Sequence, residues 1–353
     1  MDIRFRPTRS RLLSAGLLLL ALCPSQVLAD APTDCAAAAS TACYFTFTPP
    51  GSTGHMHFYA SLAPGARTPT SALVAVHGHS RDANKTFNAA LAAVQHGGAL
   101  DRSLVVAPVF QVNAADAAPC HTAGVPEAQD GDLLWTCASW MAGGMARHGD
   151  NKKELTSFAA LDALVVELHR QWPSLQTITI AGFSAGAQMV QHYIGFAAVP
   201  PAVPTALSTP LALRYVVADP GSWLYFDPVW PAATVAACPA VLQWKYGLEY
   251  LPTNLGRSAT EARTHYAQAD IHYLEGALDS NDAAGTFYKI LDKDCAAMAQ
   301  GPYRLQRGLA YAEYDRKVLA PGKQRSITTV PGCAHDVACV FPAIEARSAL
   351  LGN

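Results

Sequence analysis

Short runs of apolar and β-branched residues alternate along this chain with longer segments in which apolar residues recur every three or four positions. The first pattern is typical of β-strands and the second of amphipathic helices. Their alternation predicts a mostly parallel sheet that is covered by helices on both faces. The eight predicted strands span residues 44–48, 55–60, 72–76, 104–109, 177–181, 215–217, 271–274 and 326–330.

The predicted strands differ in how their apolar residues are arranged. The first two, at 44–48 and 55–60, alternate side chains as an exposed antiparallel hairpin does. Residues 73–76 are continuously apolar, which is typical of a central strand in a parallel sheet. Among the helices, the clearest has Ser157 as its candidate N-cap and ends at Trp172, which precedes a proline.

Two long stretches, residues 111–151 and 218–269, fall outside this alternation and carry most of the tryptophans. They follow the carboxyl ends of predicted strands, where ligands bind in open α/β sheets. Loops of this length in a compact domain are usually functional, so we expect them to form the substrate cleft. The alternative for any one of their aromatic side chains is that it packs the loop onto the body of the domain.

The N-terminus has the pattern of an export signal. Four arginines precede an apolar run at residues 12–22, and residues 27–29 offer a small-residue cleavage site. The run is shorter than the ~20 residues that a membrane-spanning helix needs. We therefore expect residues 1–29 to be removed and residues 30–353 to form one soluble, secreted catalytic domain, with no stable membrane insertion. Periplasm and medium remain equally open.

Charge and cysteine content agree with export. Removing the four arginines and one aspartate of the signal from the 25 basic and 27 acidic residues leaves a net charge of −5, which argues against nucleic acid as a partner. Eight cysteines remain, and without any Cys-x-x-Cys they favour disulfides over a zinc site. Sequence neighbours suggest four pairs, although many other pairings are open. The suggested pairs are Cys35 with Cys43, Cys120 with Cys137, Cys238 with Cys295 and Cys333 with Cys339.

A Gly-x-Ser-x-Gly motif at residues 182–186 is the clearest catalytic signal. It follows the predicted strand at 177–181 and opens a helix, which is the setting that a nucleophile elbow requires. The small residues allow a tight, strained turn that lifts the Ser184 hydroxyl above the sheet at a helix N-terminus. Ser184 is the predicted nucleophile, and an ordinary strand-to-helix turn is the alternative.

A serine hydroxyl needs a neighbouring base to remove its proton, and that base needs a carboxylate to orient it. His335 lies in the turn after the last predicted strand and is the predicted base. Asp279 follows the seventh predicted strand and is the predicted acid. Asp282 and Asp219 remain alternatives for that acid. For each of these aspartates, the ordinary alternative is that it stabilises a turn or caps a helix.

Two backbone N–H groups must point at the oxygen that becomes charged when a serine attacks a carbonyl. The N–H of Ala185, next to the nucleophile, is one of them by position. The N–H of His79, in the glycine-containing loop after the third predicted strand, is the candidate for the second. A tight turn with no catalytic part is the alternative for that loop.

Histidines at alternate positions imitate a metal-binding pair at two places, His55 with His57 and His77 with His79. Catalytic zinc sites use three protein ligands, and no third ligand is evident near either pair. We therefore expect neither a metal ion nor a cofactor.

Four pieces of the chain resemble, in order, the secreted α/β-hydrolases related to polyhydroxybutyrate depolymerases and to feruloyl or acetylxylan esterases. They are the loop at 77–83, the Ser184 elbow, the strand end at 276–279 and the His335 turn, and the similarity spans residues 73–340. The resemblance implies an α/β-hydrolase fold. It also implies metal-free hydrolysis of carboxylic esters, in small or polymeric substrates, through an acyl-enzyme.

The chain departs from the depolymerase pattern at His79, where a cysteine is usual, and at Ala187, where a further glycine is usual. These departures leave the triad untouched and leave open whether the substrate is polymeric. A peptidase or amidase is the nearest alternative function, because one triad serves both leaving groups. A catalytically silent protein that binds a partner or ligand is an alternative of a different class.

Overall fold

Ten strands form in the part of the chain that the computed structural model describes, which covers residues 33–65, 67–148, 152–198, 211–325 and 327–352. The described residues belong to one compact unit, Ala31–Asn353. The predicted export signal at residues 1–29 lies outside the described residues. The strands are β1 (Tyr44–Phe47), β2 (Met56–Ala60), β3 (Ser71–Val76), β4 (Ser103–Val109), β5 (Met145–His148), β6 (Lys152–Thr156), β7 (Thr177–Phe183), β8 (Ala212–Ala218), β9 (Ile271–Gly276) and β10 (Ile327–Val330).

Eight of these strands form the main sheet in the spatial order β1-β2-β4-β3-β7-β8-β9-β10. Strand β2 pairs antiparallel with β1 and β4, and all other neighbours are parallel. All eight predicted strands are confirmed, with small shifts at their ends. Strands β5 and β6 form a separate antiparallel pair that the sequence pattern did not predict.

Nine α-helices accompany the strands in the described residues, and none of them has both the length and the apolar character needed to cross a membrane. A π-helical turn, Asp315–Leu319, continues the seventh helix. The helices are α1 (Ala83–His96), α2 (Ser157–Gln171), α3 (Ala185–Phe196), α4 (Ala232–Ala237), α5 (Ala259–Gln268), α6 (Cys295–Gln300), α7 (Arg304–Tyr314), α8 (Val337–Val340) and α9 (Arg347–Leu351).

The helices bury both faces of the sheet, as strand β3 illustrates. Val74 and Val76 belong to the core cluster that includes residues of α2 and α3. Leu73 and Ala75 belong to the second large cluster, with residues of α1, α8 and α9. Because successive side chains of a strand point to opposite faces, a continuously apolar strand fits a sheet covered on both sides.

The first hairpin is antiparallel as predicted, but β2 is not exposed, since all five of its residues are buried. On the chain before it, the carbonyl of His55 accepts a hydrogen bond from the Leu133 N–H at 2.9 Å, which brings a loop over the strand. Tyr59 packs against Phe87 of α1 with ring centroids 5.8 Å apart. β2 lies between β1 and β4, so β1, and not β2, is the edge strand at this end of the sheet.

Helix α2 begins at Ser157, but its N-cap is Thr156, so the predicted cap was wrong by one residue. The Thr156 hydroxyl accepts a hydrogen bond from the Ala159 N–H at 3.0 Å. The Ser157 hydroxyl instead donates to the Trp140 carbonyl at 2.7 Å. Threonine and serine are both suitable N-caps. Thr156 is the cap here because the Ser157 hydroxyl is bonded to Trp140. The predicted end of the helix at Trp172 is confirmed.

The two long insertions pack onto the body of the domain through their tryptophans. Trp140 is fully buried and stacks on Phe110 with ring centroids 5.2 Å apart. Trp223 is fully buried and stacks on Tyr311 at 4.3 Å. For these side chains the packing alternative is therefore the correct one.

Four cysteine pairs lie at bonding distance, and they are the four pairs predicted from sequence neighbours. Their Cα atoms are 5.4 to 6.0 Å apart, within the usual range for disulfides. The pairs are Cys35–Cys43, Cys120–Cys137, Cys238–Cys295 and Cys333–Cys339.

Candidate active site

Ser184 occupies the turn between β7 and α3 with a φ of +57° and a ψ of −119°. A positive φ is uncommon for a residue with a side chain and marks a strained turn. Gly186 allows this turn to approach β3 closely, because a Cβ at that position would overlap the carbonyl oxygens of Val76 and His77. The glycine of the motif therefore serves a steric purpose, and Ser184 is held at the carboxyl end of the central strands.

The structure brings Ser184, His335 and Asp279 together. His335 Nε2 lies 2.8 Å from Ser184 Oγ, and His335 Nδ1 lies 2.7 Å from Asp279 Oδ2. With the proton on Nδ1, the ring donates to Asp279 and its Nε2 accepts from the Ser184 hydroxyl. Of the two alternative acids, Asp282 is exposed on the surface, and Asp219 accepts a hydrogen bond from the Gly276 N–H.

Burial lowers the pKa of His335 below its ordinary value of 6.5, and the hydrogen bond with Asp279 opposes that shift. The neutral ring is the form that can accept a proton. Since the ring is almost fully buried, its Nδ1 partner also prevents an unsatisfied donor in the interior.

Direct backbone hydrogen bonds connect the turn that carries Asp279 to the turn that carries His335. The Leu278 N–H donates to the Cys333 carbonyl at 2.8 Å, and the Asp279 N–H donates to the Gly276 carbonyl at 3.0 Å. A Cβ at Gly276 would lie 2.6 Å from the Ala334 carbonyl oxygen, so only glycine allows this approach. The distance between acid and base is therefore set by backbone contacts as well as by their own hydrogen bond.

Sequence reasoning missed Arg304, which contacts the acid. Its Nη1 lies 3.3 Å from Asp279 Oδ1 and donates to the Thr286 carbonyl at 2.6 Å. Arg304 is 3% exposed, so it places a positive charge beside a buried carboxylate and offsets part of the cost of burying it. No motif singles out this arginine, because the contact joins the start of α7 to a distant turn.

The two candidate oxyanion donors are the N–H groups of Ala185, which directly follows Ser184, and of His79. Ala185 is the first residue of α3, where a helix leaves its N–H groups without helical acceptors. His79 lines the same cleft as Ser184. An Asp82 carboxylate oxygen accepts from the Gly78 N–H at 2.8 Å and so anchors the loop that carries His79. Sequence reasoning had not given Asp82 a role.

Ser184 and His335 line a cleft of ≈ 420 Å³. Apolar side chains of four segments form most of its walls. Two of them, Phe287 and Ile290, are 57% and 64% exposed, although they are large and hydrophobic. The apolar lining residues are Ala89, Ala92, Phe183, Phe287, Ile290, Val337, Ala338 and Pro342. The charged residues at the cleft, besides its histidines, are Lys85, Asp82 and Asp336.

The segment that presents Phe287 is anchored to the triad. Phe287 has a φ of +49°, a strained conformation for an aromatic residue. Directly before it, the Gly285 carbonyl accepts from the His335 N–H at 3.2 Å, and the Thr286 carbonyl accepts from Arg304. The ring centroids of Phe287 and His335 are 6.1 Å apart. These bonds anchor the backbone directly before Phe287, whose exposed ring lines the cleft.

The expectation that the long insertions form this cleft is wrong for the residues that the structure describes. None of the described residues in 111–151 or 218–269 lines the cleft of Ser184. The first insertion and residues near 252–254 instead border a separate depression of ≈ 450 Å³. The insertions bury Trp140 and Trp223 against the body of the domain, and shorter segments form the walls of the cleft.

Within the described part of the chain, one group of three side chains of metal-ligand type lies close together. Asp219, Asp279 and His335 each offer one atom within 4.8 Å of the others. Both ring nitrogens of His335 are already engaged, with Ser184 and with Asp279. The ring therefore has no nitrogen free for a metal ion, and the residues fit a hydrogen-bonded triad better than a metal site.

The alternating histidines have protein partners of their own. His55 Nδ1 lies 2.9 Å from the Thr48 hydroxyl, and His57 Nε2 lies 2.7 Å from an Asp132 carboxylate oxygen. His77 is fully buried with hydrogen bonds to two backbone groups, and burial lowers its pKa to about 4. Neither pair forms a ligand set with a third residue in the described part of the chain.

No protein-family model and no curated protein matches the chain significantly. Solved structures, in contrast, are similar to it. The structure is similar to a poly(aspartic acid) hydrolase from Sphingomonas sp. KT-1, with 19% identity over 87% of this chain and 97% of that chain and a TM-score of 0.57. It is also similar to a poly(3-hydroxybutyrate) depolymerase from Bordetella parapertussis, with 16% identity over 86% of this chain and 88% of that chain and a TM-score of 0.55. With its mostly parallel eight-stranded sheet and these likenesses, the chain has the α/β-hydrolase fold.

Proposed function

We propose that this chain is an exported serine hydrolase that cleaves carboxylic esters through an acyl-enzyme. The observation that carries the proposal is the pair of hydrogen bonds, 2.8 Å and 2.7 Å long, that joins Ser184 to His335 and His335 to Asp279. A nucleophile, its base and the carboxylate that orients the base are the three groups that acyl transfer requires. They meet at an open cleft, where a substrate can reach the serine.

In the proposed reaction, Ser184 Oγ attacks the carbonyl carbon of the ester while His335 Nε2 takes its proton. The N–H groups of Ala185 and His79 donate to the oxygen that becomes negatively charged. When the tetrahedral intermediate collapses, His335 returns the proton to the departing alcohol. Asp279 keeps the imidazole in the correct tautomer and stabilises its charged form throughout.

The acyl-enzyme is then hydrolysed by the same residues in the reverse roles. His335 takes a proton from water, whose oxygen attacks the acyl carbon. The second tetrahedral intermediate releases the carboxylic acid, and the proton on His335 returns to Ser184 Oγ. No step of this reaction requires an oxidant, a reductant or a second substrate besides water.

The lining of the cleft favours an ester with an apolar portion over an anionic polyamide. One of the similar structures is a poly(aspartic acid) hydrolase, so an amide substrate deserves comparison. A polyanion would meet one lysine, Lys85, and two carboxylates, Asp82 and Asp336. The exposed faces of Phe287 and Ile290 instead offer surface that an apolar group would cover.

We extend the proposal to export and domain organisation. Four disulfides favour an oxidising compartment outside the cytoplasm. The N-terminal pattern favours removal of residues 1–29 on the way there. Residues 30–353 then form one catalytic domain.

Labelling with a fluorophosphonate tests the proposal, because this reagent reacts covalently with an activated serine. We expect the wild-type chain and Ser80→Ala to be labelled, since Ser80 lines the cleft but is not the nucleophile. We expect Ser184→Ala to lose the label. Retention of the label in Ser184→Ala would overturn the assignment of the nucleophile.

A panel of acyl esters and matched peptide amides then separates the two candidate substrate classes. Hydrolysis of esters with apolar acyl groups is the expected result. A labelled serine with turnover of amides alone would favour the amidase alternative. Labelling without turnover of either class would leave a binding protein with a reactive serine and would contradict the proposed function.

A further inference from the structure

Two buried carboxyl groups behind the triad have no part in the proposed reaction. Asp219 follows β8 and Glu275 lies in β9, and both side chains are 0% exposed. Asp219 has a carboxylate oxygen within 4.8 Å of atoms of both Asp279 and His335. Carboxyl groups are seldom fully buried without a partner, so this placement requires a physical explanation.

Asp219 lies beside Glu275, because its N–H donates to the Leu274 carbonyl at 3.1 Å, and the two side chains interact. Two ionised carboxylates only accept hydrogen bonds, so a bond between them requires a proton on one. As carboxylates, Asp219 Oδ2 and both Glu275 oxygens have no hydrogen-bond donor among the described residues. Helix α7 covers Glu275 so closely that a Cβ on Gly308 would overlap the carboxyl group. A proton held between the two carboxyls would satisfy these oxygens.

The charges that face the pair favour retention of this proton. Asp279 and Arg304 are the charged groups that face both Asp219 and Glu275. Burial raises the pKa of Asp219 to about 7, and the charge of Asp279 adds to that shift. Burial raises the pKa of Glu275 well above its ordinary value, and Arg304 opposes both shifts only in part.

Asp219 also lies between the turn that carries Ser184 and the turn that carries Asp279. Its Oδ1 accepts from the Gly276 N–H at 2.8 Å, at the start of the turn that carries Asp279. The carbonyl of Ala218, directly before it, accepts from the Ser184 N–H at 3.0 Å. The backbone of Asp219 has a φ of +52°, a strained conformation held by these contacts. This segment therefore bonds to both the nucleophile elbow and the acid turn.

We propose that Asp219 and Glu275 share one proton and that the pair positions the triad, Asp219 through its bond to the Gly276 N–H. The inference rests on the proposed function for its catalytic consequence. With one shared proton the pair carries a single negative charge. Together with Asp279 and Arg304 the buried group then has a net charge of −1, which His335 neutralises when it takes the serine proton. The pair thus favours the charged imidazole that forms during the reaction.

Infrared difference spectroscopy tests the shared proton without any substrate. A protonated carboxylic acid has a carbonyl-stretching band that an ionised carboxylate lacks. At pH 7 we expect this band in the wild-type protein, its loss in Glu275→Gln, and its retention in Asp282→Asn, which removes an exposed carboxyl of the same region. Absence of the band from the wild-type protein would overturn the proposal.

The pH dependence of thermal unfolding is a second readout. Glu275, with its raised pKa, retains a proton in the folded protein at pH values where the unfolded chain has released it, so wild-type stability falls as pH rises through that window. Glu275→Gln removes this dependence. We expect its Tm, relative to wild type, to be higher at pH 8 than at pH 5. A Tm difference that does not change with pH would contradict a buried proton.

Activity measurements test the positioning role. Asp219→Ala leaves the Gly276 N–H without its acceptor, and we expect kcat to fall by about 10²-fold with little change in KM, because small displacements of catalytic groups have effects of this size. Asp219→Asn keeps an oxygen for Gly276 and an amide for Glu275, so we expect it to restore kcat to within about tenfold of wild type. Wild-type kcat in Asp219→Ala would overturn the positioning role.

The outcomes separate this inference from the proposed function. If Asp219→Ala does not fold, the infrared band and the Tm series on Glu275→Gln still decide whether the proton exists. If Ser184 is not labelled while the band is present, the proposed function fails and the shared proton stands alone. If Ser184 is labelled and the band is absent, the proposed function stands and the inference fails.

Discussion

The two sides of the His335 ring lie in opposite environments. The Nε2 side faces Ser184 and an open cleft whose wall includes the exposed side chains of Phe287 and Ile290. The Nδ1 side faces a closed interior that contains Asp279 and Arg304. The open side admits a substrate, whereas the closed side holds charges in fixed positions in a region of low dielectric.

This difference has an energetic reason. Charges that stay in water would reorient during the reaction and would be screened, whereas buried charges act on the imidazole without such reorganisation. The burial of Asp279 costs free energy, which Arg304 and the hydrogen bond from His335 offset. The exposed side chains of the wall, Phe287 and Ile290, carry no such cost, so they can be replaced with little effect on the fold. We therefore expect large effects from the closed side and smaller, substrate-dependent effects from the open wall.

The largest effect is expected at the two residues that transfer the serine proton. We predict that Ser184→Ala and His335→Ala each lower kcat by ~10⁴-fold or more, because either change disables the same nucleophile. The double variant should be no worse than the single ones. Steady-state kinetics with an activated ester measures this, and circular dichroism checks the fold. Independent, multiplicative losses would contradict a shared function.

Asp279→Asn is expected to lower kcat by ~10³ to 10⁴-fold, because asparagine favours the wrong imidazole tautomer. Asp282→Asn is the matched control and should leave kcat unchanged, since this residue is exposed. The prediction fails if Asp279→Asn keeps near-normal activity while Asp219→Asn or Asp282→Asn loses it. In that case the acid assignment itself is wrong.

The disulfide between Cys333 and Cys339 lies beside His335, between the closed interior and the surface of the molecule. Cys333 and Cys339 flank His335 with a sequence separation of 6, so the bridge stabilises the fold by only about 2 kcal/mol on the loop-length relation. Its removal is expected to lower kcat by up to ~10²-fold, because it loosens the turn that places the base.

Removing the Cys35–Cys43 bridge, with a similar separation of 8, is the matched control. Both serine double variants should lower the Tm to a comparable extent. Only Cys333→Ser with Cys339→Ser should slow fluorophosphonate labelling. Equal labelling rates in the two double variants would show that the bridge contributes stability alone. A peptide that links Cys333 to Cys238 or Cys295 in the unreduced protein would contradict the pairing.

The pH dependence of activity measures how burial and the charge of Asp279 together set the pKa of His335. Because burial lowers the pKa of His335 below 6.5, the neutral form of the base predominates at pH 6.5. Below its pKa the ring is protonated, and kcat/KM should fall by about tenfold for each pH unit. We expect the midpoint of this acid limb to lie below 6.5, as measured with a neutral ester. A midpoint above 6.5 would mean that the charge of Asp279 outweighs burial.

The smallest effect is expected on the open wall. Phe287→Ala should lower kcat/KM by about tenfold for a longer acyl chain and leave an acetate ester nearly unchanged, because burial of one or two methylenes corresponds to such a factor. Tyr250→Ala is the control, since Tyr250 is exposed but does not line the cleft. A uniform loss with all acyl lengths would assign Phe287 to the support of His335 instead of substrate binding.

Local patterns predicted the strands and the nucleophile elbow well, because these depend on residues that are close in sequence. The apolar run at 73–76 became the central strand β3, and the Gly-x-Ser-x-Gly motif became the turn with Ser184 at positive φ. The exposed hairpin was predicted less well, since β2 is covered by a loop from a distant part of the chain. The pair β5 and β6 was missed because β5 lies in an insertion without a regular pattern and β6 directly follows that insertion.

The sequence selected the three residues of the candidate triad but not the residues that surround them. Order along the chain was enough to select Ser184, Asp279 and His335, which the structure brings together. The insertions were expected to line the cleft because long aromatic loops often do so. Their tryptophans pack inward instead, and Phe287, on a short turn, has the exposed position.

By itself, the sequence determined the succession of strands and helices, the elbow and the order of the three triad residues, because spacing and residue type carry this information. Only the tertiary structure decided which carboxylate bonds His335, that Arg304 and Glu275 join the buried group, and which segments line the cleft. These outcomes depend on contacts between distant positions, such as Asp219 with Gly276 at a separation of 57 residues and Asp279 with Arg304 at 25. Burial then sets the charge of each group, and burial is a property of the folded chain.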